Sequence, residues 1–128
     1  MAKVYLFNLQ GEKRRRVRLL LIRLGIPCLE IQPRDFNRTL GALSGREGYA
    51  ELDEESLEPF TDEMLVMDDL SPDRFHALVD GLRQMRAVIP LKAVVTEHNL
   101  RWSPARLHRE LRAEHEAMQA GKKSIHRE

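Results

Sequence analysis

Apolar positions along the chain fall into four short runs, three helical stripes and one weaker region. Met64 to Met67 (MLVM) and Leu91 to Val95 (LKAVV) are apolar at nearly every position. Neither shows the in-and-out alternation of a half-exposed strand, so each reads as a strand covered on both faces. Between them a helix start is written residue by residue. Ser71 is a capping residue, Pro72 suits the first helical position because it lacks an N–H, and Asp73 complements the helix dipole. Leu70 and Phe75 are placed to staple the entry, and Phe75, Leu78, Val79, Leu82 and Met85 follow as one stripe. A strand, a helix and a strand in this order predict a right-handed parallel crossover.

The N-terminal stretch predicts a second such unit. Lys3 to Asn8 is a strand with Val4 and Leu6 on one face and Tyr5 and Phe7 on the other. Gln10-Gly11-Glu12 turns into a helix whose inner stripe is Val17, Leu20, Leu21 and Leu24. Gly25 ends it, with Leu21 and Ile26 spaced for the apolar contact of a Schellman motif and Pro27 preventing continuation. Cys28 to Gln32 then alternates as an edge strand does.

From Pro33 to Asp62 the pattern weakens. Phe36, Leu40 and Leu43 predict a short helix ended by Gly45, and an acidic connection follows. Its length disfavours a hairpin and favours a crossover back to the other end of the sheet. After the fourth strand, Ser103 and Pro104 repeat the earlier helix start, with Trp102 placed to staple onto Leu107. The final helix is expected to run to about Gln119, with Leu107, Leu111, His115 and Met118 inward and Arg106 paired with Glu110. Beyond the two Ser-Pro starts no repeat is visible. The expected architecture is α/β: a small four-stranded, mostly parallel sheet of order 2-1-3-4 with helices on both faces. A ferredoxin-like α+β sheet has the same element order and is the alternative. Residues 1–120 form a single domain in this reading, and 121–128 a flexible tail.

Composition adds little until charge is divided along the chain. At 128 residues, 42% hydrophobic and 32% charged, this is ordinary for one globular domain. Residues 1–46 carry ten Lys/Arg against three Asp/Glu, residues 47–80 one against twelve, and residues 81–128 are basic again, which the net +1 conceals. In a compact fold these segments either neutralise one another or form separate faces. No apolar run approaches a membrane span, no signal-peptide pattern opens the chain, and the lone Cys28 permits no internal disulfide. The expected location is cytoplasmic.

In an open parallel sheet, ligands gather beyond the carboxyl ends of the strands where the order reverses, here between the first and third strands. Asn8, Asp68 and Asp69 would be delivered there, with Thr96, Asn99 and Trp102 following the fourth strand. Two adjacent carboxylates near an Asn and a Thr suit a hydrated Mg²⁺. They equally suit the loop before a helix start, and that plainer reading is the stronger. Lys92, inside an apolar run, reads as an ion pair with Glu63 or as a snorkelling end. His108 and His115 lie seven residues apart, too far along a helix to share an ion, so no metal site and no cofactor are expected. The six cations of Lys13 to Arg23 could track phosphates. The acidic middle segment and the scarcity of aromatics disfavour nucleic acid. Neither a glycine-rich phosphate loop nor a nucleophile elbow is present.

The phrases LLIRLGI (20–26), PRDFNRTLGALSG (33–45), PFTDEMLVM (59–67), LKAVVTEHN (91–99), Trp102 and EHEAM (114–118) together resemble a bacterial domain of unknown function, family 3783, over nearly the whole chain. Leu40-Gly41, Glu63-Met64-Leu65, Lys92, Thr96, Asn99, Trp102 and Glu114-His115 are its sharper matches. The resemblance implies only a small soluble bacterial protein, and the family has no assigned activity to carry over. With no catalytic constellation, the expected function is non-enzymatic binding or regulation, through a protein partner or a small ligand at the strand-end crevice. The competing expectation is a Mg-dependent enzyme using Asp68 and Asp69 on a phosphorylated or carboxylated small molecule.

Overall fold

A computed structural model describes the backbone of residues 1–127 and the side chains as far as Gly121. Four strands, β1 (Lys3–Phe7), β2 (Cys28–Ile31), β3 (Met64–Asp68) and β4 (Leu91–Val94), form one sheet of order β2-β1-β3-β4. Helices α1 (Gly11–Arg23) and α3 (Pro72–Gln84) cover one face. The short α2 (Leu40–Leu43) and the long α4 (Pro104–Arg127) lie on the other. This is the expected α/β fold with helices on both faces. Two of the three strand pairings are parallel, β1 with β2 and β3 with β4.

The central pairing runs the other way. β1 and β3 are antiparallel, with Lys3 opposite Asp68 and Phe7 opposite Met64. The expected crevice between the carboxyl ends of the first and third strands therefore does not form, because those ends lie at opposite edges of the sheet. The long connection explains the difference. Instead of crossing to the far end, residues 32–63 begin and end at the same edge. Their length goes into covering a sheet face: Phe36, Leu40 and Phe60 are buried against Tyr5, Phe7, Met64 and Val66. Phe36 stacks on Phe60 with centroids 4.5 Å apart.

The opposite face packs Val4, Leu6, Leu65 and Met67 against Val17, Leu20 and Leu21 of α1 and Leu78 and Leu82 of α3. Helix starts and stops follow the sequence closely. Ser71 and Ser103 accept hydrogen bonds from the Arg74 and Arg106 amides at 3.2 and 3.1 Å. The Gly25 and Ile26 amides return to the Ile22 and Leu21 carbonyls, completing the Schellman motif.

Those landmarks recur. Lys3–Phe7 and Met64–Asp68 correspond at a separation of 61 positions, as do Gly11–Arg23 and Pro72–Gln84. Left-handed residues keep the same spacing: Asn8 and Asp69 after the strands, Gly25 and Arg86 after the helices. The chain is thus two strand-helix-strand-helix halves related by a pseudo-two-fold through the Tyr5–Val66 pair. This repeat is invisible in the sequence because it lies in backbone landmarks and burial, not in shared residues. It carries a prediction. Arg86 holds φ 57° where its counterpart is Gly25, and a side chain in that region is strained. Arg86 is exposed. Arg86→Gly is expected to raise stability by roughly 0.5–1 kcal/mol, read as an increased urea midpoint.

Four further expectations change. β4 is covered on one face only, since Lys92 and Val94 are exposed. Lys92 donates to the Ile89 carbonyl at 2.8 Å, and Glu63 pairs with Lys13. His115 and Met118 are exposed, not inward, because α4 outruns the sheet beyond Leu111. α4 continues past Gln119 to Arg127, into the segment expected as a tail, and Glu128 lies outside the described residues. No helix among the described residues is long and apolar enough to cross a membrane.

The divided charge is resolved by contact. Acids of the middle segment lie against basic residues of the connection and of α4. Glu51 pairs with Arg38, Asp53 with Arg106, Glu55 with Arg109, and Asp62 with His108 and Arg112. Arg106 therefore reaches Asp53 and not Glu110, which pairs with Arg109.

Candidate functional site

The antiparallel centre puts the end of β3 beside the end of β4 and the start of β1. At this edge Asp68, Asp69 and Thr96 line one concavity of about 410 Å³ together with Arg46 and Tyr49. A second, of about 550 Å³, lies alongside and is lined by Thr39, Tyr49, Asp53, His98, Arg101, Trp102 and Arg106. Tyr49 lines both, so the two adjoin at this residue as compartments of one groove. Its position depends on Gly41 in α2. A Cβ there would stand 2.3 Å from Tyr49 Cγ, so only glycine lets the ring lie against the helix.

Asp68 anchors the first compartment. Its side chain is 1% exposed and accepts both Arg46 terminal nitrogens at 2.9 Å and the Tyr5 hydroxyl at 3.0 Å. Burial pushes its carboxyl up, but the bonds from Arg46 and Tyr5 outweigh this and hold it below the usual carboxylate range. Burial, then the Asp68 charge, drive the Tyr5 phenol strongly upward, so it stays a neutral donor. Both Asp68 oxygens are thus committed within the protein. Asp69 is exposed, with φ 58°.

Thr96 and Asn99 satisfy each other. The Thr96 amide donates to Asn99 Oδ1 at 2.9 Å, and the Asn99 amide to Thr96 Oγ1 at 3.2 Å. Asn99 Nδ2 donates to the Val94 carbonyl at 3.0 Å, and the residue is buried. This reciprocal turn shapes the wall of the groove, leaving only Thr96 at its surface. Asn8 is at the opposite sheet edge. Its side-chain amide clamps the Phe60 and Asp62 carbonyls at 2.9 Å, which is a structural role.

The second compartment is built around the start of α4. Asp53, with its side chain 1% exposed, accepts the Ser103 amide at 2.7 Å and the Glu55 amide at 3.2 Å. Burial raises its carboxyl, while those backbone donors and the Arg106 charge bring it net below its ordinary value. Trp102 lies between two partners: the Arg106 guanidinium 5.2 Å from its ring centroid and the His98 ring edge-on at 5.0 Å. Arg106 Nε is the one buried side-chain polar atom without a partner among the described residues.

Of six sequence candidates, Asp68, Asp69 and Thr96 share a compartment, Trp102 lines the adjoining one, Asn99 lies behind the wall, and Asn8 is elsewhere. Sequence reasoning missed Arg46, Tyr49, Asp53, Arg101 and Arg106. Gly41 was the available signal, since a glycine inside a helical pattern marks a close approach.

Comparison with known proteins bears on the second half of the chain. No curated protein and no solved structure matches it. Residues 63–118 match the family model described as a domain of unknown function (DUF3783). The match begins with β3 and ends on α4, and so coincides with the second strand-helix-strand-helix half. It is narrower than the resemblance read along the chain, and Gly41, Tyr49 and Asp53 lie outside it. Over residues 63–118, the chain is thus similar to the domain of unknown function of family 3783.

Proposed function

We propose that this is a binding protein of the cytoplasm that holds a small molecule in the Tyr49 groove without transforming it. The observation carrying this reading is that the two compartments are walled by side chains from the connection before β3, the end of β3, the connection after β4 and α4, while their buried carboxylates are spent on internal bonds. Asp68 and Asp53 are each held below their ordinary range by donors of the protein itself, so neither buried carboxylate is poised near neutral pH as a general base. A protein partner gripping the acidic segment is less favoured, because Glu51, Asp53 and Glu55 already pair with arginines of the chain.

The Mg²⁺ enzyme reading meets a specific obstacle. An ion at Asp68 would have to displace the two-pronged Arg46 bond, and no third acidic or imidazole group joins Asp68 and Asp69 among the described residues. Thermal unfolding measured against small molecules of defined class, and against a Mg²⁺ series, separates the readings. Ligand at a hundred times its Kd adds about 2.7 kcal/mol to the native state. A saturable rise with an organic or inorganic small molecule and none with Mg²⁺ alone is expected. A rise with Mg²⁺ that disappears in Asp69→Asn would favour the enzyme reading instead.

A further inference from the structure

The larger compartment contains two cations with spare donors. A guanidinium offers five N–H groups in one plane. Arg106 spends one on Asp53, at a long 3.4 Å, and its buried Nε finds nothing. A buried donor left unmatched costs about 1–3 kcal/mol, so this arrangement is one a better acceptor would improve. Asp53 is not that acceptor, because two backbone amides already hold it. Arg101, on the turn before α4, is exposed and has no acidic partner among the described residues. Both arginines line the same concavity, with the exposed His98 ring beside them. Glu54, exposed at the rim, is the one lining carboxylate that no arginine engages.

From this we infer that the compartment between Tyr49 and Trp102 is a subsite for a small oxyanion, a carboxylate or a phosphate group, held by Arg101 and Arg106. The inference rests on the binding reading above and names the chemistry of its ligand. Guanidinium pairs recognise planar carboxylates and phosphates through paired N–H bonds, and lysines would not substitute for them. The ligand's oxyanion replaces Asp53 as the better partner of Arg106. Movement of that guanidinium over Trp102 reports the event, because this is the chain's only tryptophan.

The test is a titration of the full chain with inorganic phosphate, with citrate, and with neutral and cationic probes of similar size (glycerol and ethanolammonium), followed by tryptophan fluorescence and thermal unfolding. A saturable response to phosphate or to citrate is expected, and which of the two saturates identifies the kind of oxyanion. Arg101→Gln, an exposed and structurally mild change, is expected to weaken it about tenfold or more, and Arg106→Gln likewise. Arg109→Gln, which breaks a pair with Glu55 outside this lining, should leave it unchanged. A response that survives Arg101→Gln overturns the subsite. Saturation by the neutral or cationic probe alone overturns the oxyanion inference while leaving the groove reading standing. No saturation by any probe overturns both.

Discussion

Asp68→Ala is expected to lower the unfolding free energy by roughly 3 kcal/mol, because it strips the partner from a half-buried guanidinium and from a buried phenol together. Asp68 joins three segments distant in sequence: Tyr5 in β1, Arg46 after α2, and β3 itself. Removing it leaves the Tyr5 hydroxyl without its acceptor inside the sheet face. Arg46 is 35% exposed and recovers part of its loss in water, which keeps the expected cost at the low end for a broken buried pair. The same residue sets the acid limb. Its folded-state pKa lies below the unfolded value near 3.8, so its stabilisation is complete above that value and is lost as pH falls through the lower, folded one. Asp53 is depressed as well and adds to the same limb. On the alkaline side the sign reverses. Tyr5 is raised above its ordinary value of 10.0, so its contribution is intact below that pH and is lost as pH climbs beyond it. Urea titrations between pH 2 and about 6 are the check, with Asp68→Asn expected to show a shallower acid dependence than the parent chain. An unchanged midpoint in Asp68→Ala would mean that the Arg46–Asp68–Tyr5 cluster contributes nothing.

Gly41→Ala is the second large effect. The added Cβ would meet Tyr49 Cγ at 2.3 Å and Tyr49 Cβ at 2.6 Å, and the root of a side chain cannot swing aside as its tip can. Overpacking of this kind costs about 1–3 kcal/mol, and here relief requires moving a ring whose residue lines both compartments. Gly81→Ala is the informative contrast. Its Cβ would meet the methyls of Leu20 at 2.8 and 2.9 Å, the flexible end of a side chain, and alanine gains about 1 kcal/mol of helix propensity in the middle of α3. The two are expected to differ clearly in denaturation midpoint, with Gly41→Ala much the worse. Gly41→Ala should also weaken the response of the groove to ligand, whereas Gly81→Ala should not. Equal midpoints would show that Tyr49 yields without cost and walls nothing.

Local chemistry was the legible part of this fold. Ser71, Ser103, Pro72, Pro104 and Gly25 announce helix ends through short-range sterics and capping bonds, and each appears where the sequence puts it. Strand order followed as well, because apolar runs and a charge-bearing edge restrict the arrangements. The direction of β3 relative to β1 did not follow. That choice turns on what a connection of some thirty residues does with Phe36, Leu40 and Phe60, and their burial partners are distant in sequence. The reversal decides the site. It separates Asn8 from Asp68 and brings Asp68 beside Thr96 and the Arg46–Tyr49 segment. Asp53 illustrates the remaining gap: within an acidic run it looks like solvent-exposed charge, yet it is the buried acceptor at the start of α4. Exposure of His115 and Met118 was missed for a related reason, since helical spacing shows which side a residue faces but not where the sheet beneath it ends.

Everything placed in the groove depends on the orientation of the two central strands, and nuclear Overhauser contacts across that pair measure it directly. Backbone cross-peaks joining Lys3 to Asp68 and Phe7 to Met64 are the predicted result. Cross-peaks joining Lys3 to Met64 and Phe7 to Asp68 would mean a parallel centre, with Asp68 beside Asn8 and no shared wall for Arg46, Tyr49 and Thr96.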